Sequence, residues 1–253
     1  MPAERRNISI LFVTLVIIMM GFGMIIPIMP FYVEHFGATG RDLGLLIAIY
    51  SMMQFIFAPI WGKQSDRFGR KPILMIGILG NALTLLLFGL APNLWMLFVA
   101  RALSGILSSA TLPTAMAYVG DSTSDEERSG GLGLMGATMG LGMVIGPGIG
   151  GWFAEYSLSL PFFMAAGLSL FTLVLVWAVL PESLAPEERQ NHGRHRFGKQ
   201  MKEMWGALFG PIGFLLVLAF VVSFGLTAFE GVFGLYALHK FEYGPKEVGT
   251  VLT

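Results

Sequence analysis

The sequence has no cysteine and few charged residues. Of its 253 residues, 13% are charged and 55% are hydrophobic, whereas a soluble domain carries about a quarter charged residues. The lack of cysteine excludes disulfides, thiolate chemistry and cysteine-based metal sites. A net charge of zero gives no basic surface for a nucleic acid. No phosphate-binding loop, metal-ligand cluster or catalytic triad is evident, so neither an enzyme nor a cofactor site is expected.

What the sequence has instead is a series of long apolar segments. Each is long enough for the roughly 20 residues that cross a bilayer core, and they cover residues 8–33, 43–61, 73–90, 94–119, 130–153, 160–180 and 208–237. Backbone groups in lipid must be satisfied internally, and strict period-2 alternation is missing, so helices are favoured over a barrel. The sequence therefore predicts an all-α membrane protein with seven spans.

Lysine and arginine are distributed unequally between the loops. With the N-terminus in the cytoplasm, twelve of them lie on the cytoplasmic side, and only Arg41, Lys240 and Lys246 lie on the other. The positive-inside rule therefore predicts a cytoplasmic N-terminus. We expect residues 1–180 to form a six-helix unit, 181–206 a cytoplasmic linker, and 207–253 helix seven and the stub of helix eight. The chain is thus expected to be truncated and to lack a C-terminal half as its partner.

Several short motifs lie at the ends and breaks of these spans. The loop after the second span contains Gly62, Asp66, Arg67, Gly69, Arg70 and Lys71. The first span has Gly21 and Pro27-Ile28-Met29-Pro30, the fourth has Arg101 and Gly105, and the sixth closes with Pro181-Glu182-Ser183. The fifth span carries Gly133, Gly142, Gly146, Pro147, Gly150 and Gly151.

These motifs, in this order, resemble those of the major facilitator superfamily of transporters. The glycine pattern of the fifth span is similar to that of its drug:proton antiporters, and the segment around Glu230 is similar to Gram-positive quinolone-type multidrug exporters. The resemblance implies a major facilitator fold of about twelve helices, of which this chain holds the N-terminal six and about one more. Ser104 departs from the family, which usually has glutamine there.

The charged loop has two interpretations. Asp66 is placed to accept hydrogen bonds from backbone amides at a helix N-terminus, while Arg67 or Arg70 pairs with an acid such as Asp121. The loop would then be a gating latch on the cytoplasmic side. The alternative is plain positive-inside anchoring, which explains Lys71 but not the fixed Asp-Arg-x-Gly spacing.

The glycines of the fifth span indicate close helix packing. Gly142, Gly146 and Gly150 recur every four residues and form a stripe, and Pro147 frees the carbonyl of Met143 and bends the helix. Small-residue packing explains the stripe with or without the resemblance. The resemblance adds the direction of transport, which is export against protons.

Two ionisable residues lie inside predicted spans, where charge is costly. Glu230 has no nearby cation in the sequence, so it is a candidate to bind and release a proton during transport. A structural carboxyl at the interface is the alternative. The resemblance implies a proton-coupling role for Arg101 as well, against the alternative that its side chain reaches the headgroups.

The sequence-based hypothesis is proton-coupled efflux of small hydrophobic or cationic drugs by alternating access, in the cell membrane of a bacterium. Its partners would be the substrate, protons and the lipid bilayer, with the proton gradient as energy source and no cofactor. The alternatives are an exporter of one metabolite or sugar, or a truncated membrane protein that does not transport. Residues 1–253 by themselves are not expected to transport.

Overall fold

The chain is helical throughout the residues that its computed structural model describes. These are residues 3–184 and 206–253, with the backbone alone described for 3–9 and 125–128, and they contain no strand. The α-helices of these ranges are α1 (Ala3–Ile25), α2 (Met29–His35), α3 (Gly40–Phe68), α4 (Arg70–Gly89), α5 (Leu94–Leu107), α6 (Thr111–Ser122), α7 (Asp125–Ala154), α8 (Leu160–Val179), α9 (Gly213–Phe241) and α10 (Pro245–Val251).

The membrane spans agree with the seven predicted from the sequence. In the described part of the chain, six spans are long and apolar enough on their own: Gly40–Phe68, Arg70–Gly89, Leu94–Asp121, Ser129–Ala154, Leu160–Val179 and Gly213–Phe241. A seventh forms when Ile10–Ile25 and Met29–His35 are counted together, and these two meet at a bend of 45°. This confirms an all-α membrane protein. The predicted linker, residues 181–206, lies outside the described residues except at its ends.

Prolines account for two irregular places in these spans. Pro27 has no N–H to donate and its ring clashes with the preceding turn, so α1 ends at Ile25 and α2 begins at Met29. In the fourth span, Ser108–Ala110 forms a 3₁₀ turn between α5 and α6, and Pro113 follows it. Because Pro113 cannot donate to the carbonyl of Ser109, the α-helical ladder is interrupted there.

Buried apolar side chains hold the first six spans together in two clusters. One joins α1 and α4 to α6 and α8 through Leu11, Leu15, Ile78, Tyr118 and Val176. The other lies toward the opposite end of α1 and contains Ile28, Leu46, Leu97 and Phe162. Burial of such side chains favours the packed bundle through close contact of well-fitted surfaces.

The helices α9 and α10 pack against one end of this bundle. The imidazole of His239 on α9 lies 3.6 Å from the carboxylate of Glu34 on α2, and an ion pair joins Lys246 on α10 to Glu155 at 3.1 Å. The rest of α9 exposes its apolar side chains, including Phe214 and Phe220. Apolar residues around the whole circumference of a helix are expected where the helix faces lipid.

Candidate functional site

A cavity of about 360 Å³ lies between the first six spans and α9. Drug-sized pockets start at about this volume. The side chains that line it come from α1, α2, α3, α5, α7 and α9, and they include Phe22, Met29, Tyr50, Ser51, Gln54, Arg101, Met143, Ser223, Thr227 and Glu230. Both charged residues singled out in the sequence, Arg101 and Glu230, therefore lie in the same cavity.

Arg101 reaches this cavity from α5 and is enclosed by aromatic rings. Its guanidinium carbon lies 5.2 Å from the ring centre of Tyr50 and 5.3 Å from that of Phe88. Both distances are in the range of cation–π attraction. The Nε atom is buried and has no hydrogen-bond partner among the described residues. The guanidinium therefore lies inside the bundle, which disagrees with the alternative that it reaches the headgroups.

Glu230 lines the cavity from α9. Its side chain is half-buried, and within the described part of the chain no ion pair or hydrogen bond is formed by its carboxyl group. A carboxyl group that makes no such bond within the protein is free to bind a proton or a ligand. Its role in proton coupling, like that of Arg101, stays a prediction.

Sequence reasoning missed the aromatic and polar residues that complete the cavity. The rings of Phe22 and Tyr50 are 6.1 Å apart, and Gln54 lies one helical turn after Tyr50 on the same face of α3. The signal was present, since Tyr50, Ser51 and Gln54 are polar residues within a predominantly apolar span. The enclosure of Arg101 by Phe88 had no such signal, because it depends on how α4 packs on α5.

The charged loop between α3 and α4 forms a network around Arg70. The Arg70 side chain is 6% exposed. Its Nε donates to Asp121 at 2.8 Å, and its Nη1 donates to Ser65 at 2.7 Å and to Asp66. The predicted pairing of this loop with Asp121 therefore forms through Arg70. Gly69 has φ of 107°, which favours glycine, and it makes the turn between the two helices.

The start of α4 is held by a different acid. The backbone amides of Arg70 and Lys71 donate to Glu182 at 2.7 Å and 3.3 Å, and the expectation that Asp66 accepts from the amides of a neighbouring helix stays a prediction. A carboxylate is favoured at a helix N-terminus, and the end of α8 brings Glu182 to that position. Arg67 is exposed and lies over the ring of Phe68 at 5.1 Å.

The glycine stripe of α7 packs directly on α1. A methyl group at Gly146 would come within 2.6 Å of the Met20 carbonyl oxygen, and one at Gly142 within 2.7 Å of the Met20 amide nitrogen. At Gly150 it would overlap the backbone of Met24. Real Cβ atoms do not approach so closely, so α1 and α7 meet backbone to backbone.

The remaining glycines of these motifs have different surroundings. Gly151 faces α10, where a methyl group would overlap the carbonyl of Pro245, and the carbonyl of Pro147 faces Gly249. Gly133 and Gly62 face open space, since a methyl group at either would meet no described atom within 4 Å.

No group of three or more acidic, histidine or cysteine side chains in the described residues is arranged to hold a metal ion. The charged groups of the cavity are one guanidinium and one carboxyl on different helices. Such a pair can bind an ionic ligand or a proton but does not form a metal site.

Comparison with known proteins decides the family. The model of the Major Facilitator Superfamily matches residues 11–253. The chain belongs to this superfamily. Members of this superfamily are transporters, which confirms the prediction that the chain is not an enzyme. It also confirms the fold that the motifs implied, and it makes the chain a multi-pass membrane protein.

Three curated relatives of this major facilitator chain come from bacteria. It is 34% identical over 99% of its length to multidrug resistance protein 2 of Bacillus subtilis, and 35% identical over 99% to multidrug resistance protein 1. It is 30% identical over 98% of its length to the quinolone resistance protein NorA of Staphylococcus aureus. The chain spans 63%, 64% and 63% of the length of these three relatives.

Solved structures agree on the fold. The human organic anion transporter MFSD10 matches all of the chain and 69% of its own length with a TM-score of 0.75 at 21% identity. A bacterial homologue of the human lysosomal transporter Spinster, in an inward-facing and unoccupied conformation, matches 98% of the chain and 58% of its own length with a TM-score of 0.78 at 15% identity.

Proposed function

We propose that the chain is the cavity-forming part of a proton-coupled exporter of small hydrophobic or cationic drugs. The observation that carries this proposal is the shared cavity, in which Glu230 and Arg101 lie together among aromatic and methionine side chains. Methionine and aromatic walls adapt to varied apolar ligands. The relatives named for multidrug and quinolone resistance support the same substrate class.

Glu230 is the proton carrier in this proposal. A carboxyl group away from water strongly favours its neutral form unless a cation pairs with it. A drug cation that enters the cavity supplies that cation, so it releases the proton from Glu230. The drug and the proton therefore cannot be bound at the same time. A carrier that exchanges one for the other requires this competition. Arg101 acts on the same equilibrium, because its charge favours the ionised carboxylate.

The charged loop would act as the latch on the cytoplasmic side, with the N-terminus in the cytoplasm as the positive-inside rule predicts. Arg70 would break and remake its bonds to Asp66 and Asp121 as the bundle rocks. The glycine stripe of α7 allows that motion, because a backbone-to-backbone contact has no interdigitated side chains to separate.

Proton release on ligand binding tests the proposal on the chain itself. Tetraphenylphosphonium is added to the purified protein in weakly buffered detergent solution, and a pH-sensitive dye reports the protons released. The parent protein is expected to release protons as the cation binds, and Glu230→Gln is expected to bind the cation without release.

Glu155→Gln is the matched control, since Glu155 pairs with Lys246 outside the cavity, and it is expected to behave like the parent. Equal release from the parent and from Glu230→Gln would refute the role of Glu230. If only one metabolite and none of several cations binds, the exporter of a single compound is the better description. Absence of binding by all of them favours a protein that does not transport.

A further inference from the structure

Two aromatic rings attract the guanidinium of Arg101, but no described residue accepts a hydrogen bond from it. Its two aromatic neighbours, Tyr50 and Phe88, stabilise positive charge through their ring faces. A ring face does not replace the hydrogen bonds that a guanidinium makes in water, and the five N–H groups of Arg101 need oxygen acceptors. Its buried Nε has none among the described residues.

The one carboxyl group of the cavity does not fill this role. Glu230 lies on α9 whereas Arg101 lies on α5, and among the described residues no ion pair links them. A cation and an acid are thus held apart in one small space. Removing an ion from water without a partner is costly, so each group is available for an opposite charge on a ligand.

The walls of the cavity combine aromatic and aliphatic side chains with the polar side chains of Gln54 and Thr227. Phe22 and Tyr50 form a pair of rings, and Ile26 and Ile47 lie on the same lining. A volume of about 360 Å³ accommodates a planar fused-ring molecule of drug size. The ligand that satisfies all of these features carries a cationic group, an aromatic body and an anionic group.

We propose that Arg101 binds the anionic group of the substrate, so that the cavity prefers aromatic zwitterions to cations of the same shape. This inference rests on the proposed function, since it names the substrate class of the same cavity. Guanidinium binds a carboxylate through two parallel N–H bonds. Tyr50 and Phe88 position the guanidinium for this contact, and the cationic end of the ligand faces Glu230.

A pair of dyes that differ only at the anionic group tests the proposal. Rhodamine 110 is a zwitterion with a free carboxylate, and rhodamine 123 is its methyl ester and a simple cation. Each is titrated against the 253-residue chain in lipid nanodiscs, with fluorescence anisotropy as the measure of binding. The parent protein is expected to bind rhodamine 110 about tenfold more tightly, which is the size of a charge-assisted hydrogen bond.

The variants separate Arg101 from the rest of the cavity. Arg101→Gln is expected to abolish the preference, so that the dissociation constants for rhodamine 110 and rhodamine 123 become about equal. Arg101→Lys keeps the charge without the planar fork and is expected to retain part of the preference. Glu230→Gln is expected to weaken both dyes alike, so the ratio of their dissociation constants stays at the parent value.

Equal binding of the two dyes by the parent would overturn the proposal, and so would an undiminished preference in both Arg101 variants. If Arg101→Gln does not fold, the ratio of the two dissociation constants in the parent and in Arg101→Lys still tests the proposal. Failure here is distinct from failure of the proposed function. Proton release without a preference for the carboxylate refutes this inference alone, and a preference without proton release refutes the coupling alone.

Discussion

At the scale of single residues, two arginines of the charged loop differ in their contacts because their surroundings differ. Arg67 and Arg70 are three positions apart in the same motif, and the sequence offered either as the partner of Asp121. Arg70 is buried against two carboxylates, whereas Arg67 is exposed over Phe68. Removal of one partner from a buried pair is costly because it leaves the other charge uncompensated, whereas removal of an exposed charge changes the stability little.

We therefore predict that Arg70→Leu destabilises the chain and Arg67→Leu does not. Loss of Arg70 removes the charged hydrogen bonds and leaves Asp66 and Asp121 repelling each other, at a cost of about 2–3 kcal/mol. Arg67→Leu should change the stability by less than about 0.5 kcal/mol. Tryptophan fluorescence of the detergent-solubilised protein during heating measures both. Equal unfolding temperatures for the two variants would contradict the latch geometry.

At the scale of helices, the contact of α1 with α7 depends on glycine at particular turns. Gly142, Gly146 and Gly150 meet the backbone of α1, while Gly133 on the same helix meets nothing among the described residues. The four-residue spacing predicted the stripe of Gly142, Gly146 and Gly150 from the sequence. The structure adds that the stripe contacts α1 and that Gly133 has no packing role in this arrangement.

This division gives a test with a single added methyl group. Gly150→Ala should force α1 and α7 apart and cost about 1–3 kcal/mol, as overpacking does. Gly133→Ala should be neutral or stabilise the helix by up to about 1 kcal/mol, because alanine has the higher helix propensity. Unfolding temperature and elution as a single peak in size-exclusion chromatography are the measurements. Similar losses in both variants would show that the stripe is not specific.

At the scale of the whole molecule, the orientation in the membrane can be tested directly because the chain has no native cysteine. Lys63 lies near the end of α3, and Ser157 lies between α7 and α8 at the opposite end of the bundle. Lys63→Cys and Ser157→Cys each introduce a single thiol at an exposed position.

With the N-terminus in the cytoplasm, a membrane-impermeant maleimide added to intact cells should label Ser157→Cys but not Lys63→Cys. Both should react after the cells are opened, which controls for reactivity of the thiol. Labelling of Lys63→Cys in intact cells would reverse the orientation, and with it the cytoplasmic position of the latch around Arg70.

The sequence by itself determined the helices and where they break. A long apolar segment in lipid forms a helix, because its backbone groups have no hydrogen-bond partners there other than each other. The family motifs are likewise short local patterns. Pro27 lies at the bend after Ile25, whereas α7 continues past Pro147 to Ala154. Because these are local properties, the amino-acid sequence alone is enough to predict the seven spans, their approximate bounds and the superfamily.

Tertiary structure alone decided which residues meet. Glu182 accepts from the amides of α4, since α8 ends beside that N-terminus. Tyr50 and Phe88 enclose Arg101 because α3 and α4 both pack on α5. Arg101 and Glu230 are far apart in the chain and share a cavity only through the docking of α9. Such contacts depend on how spans of similar apolar character pack, and no local pattern encodes that choice.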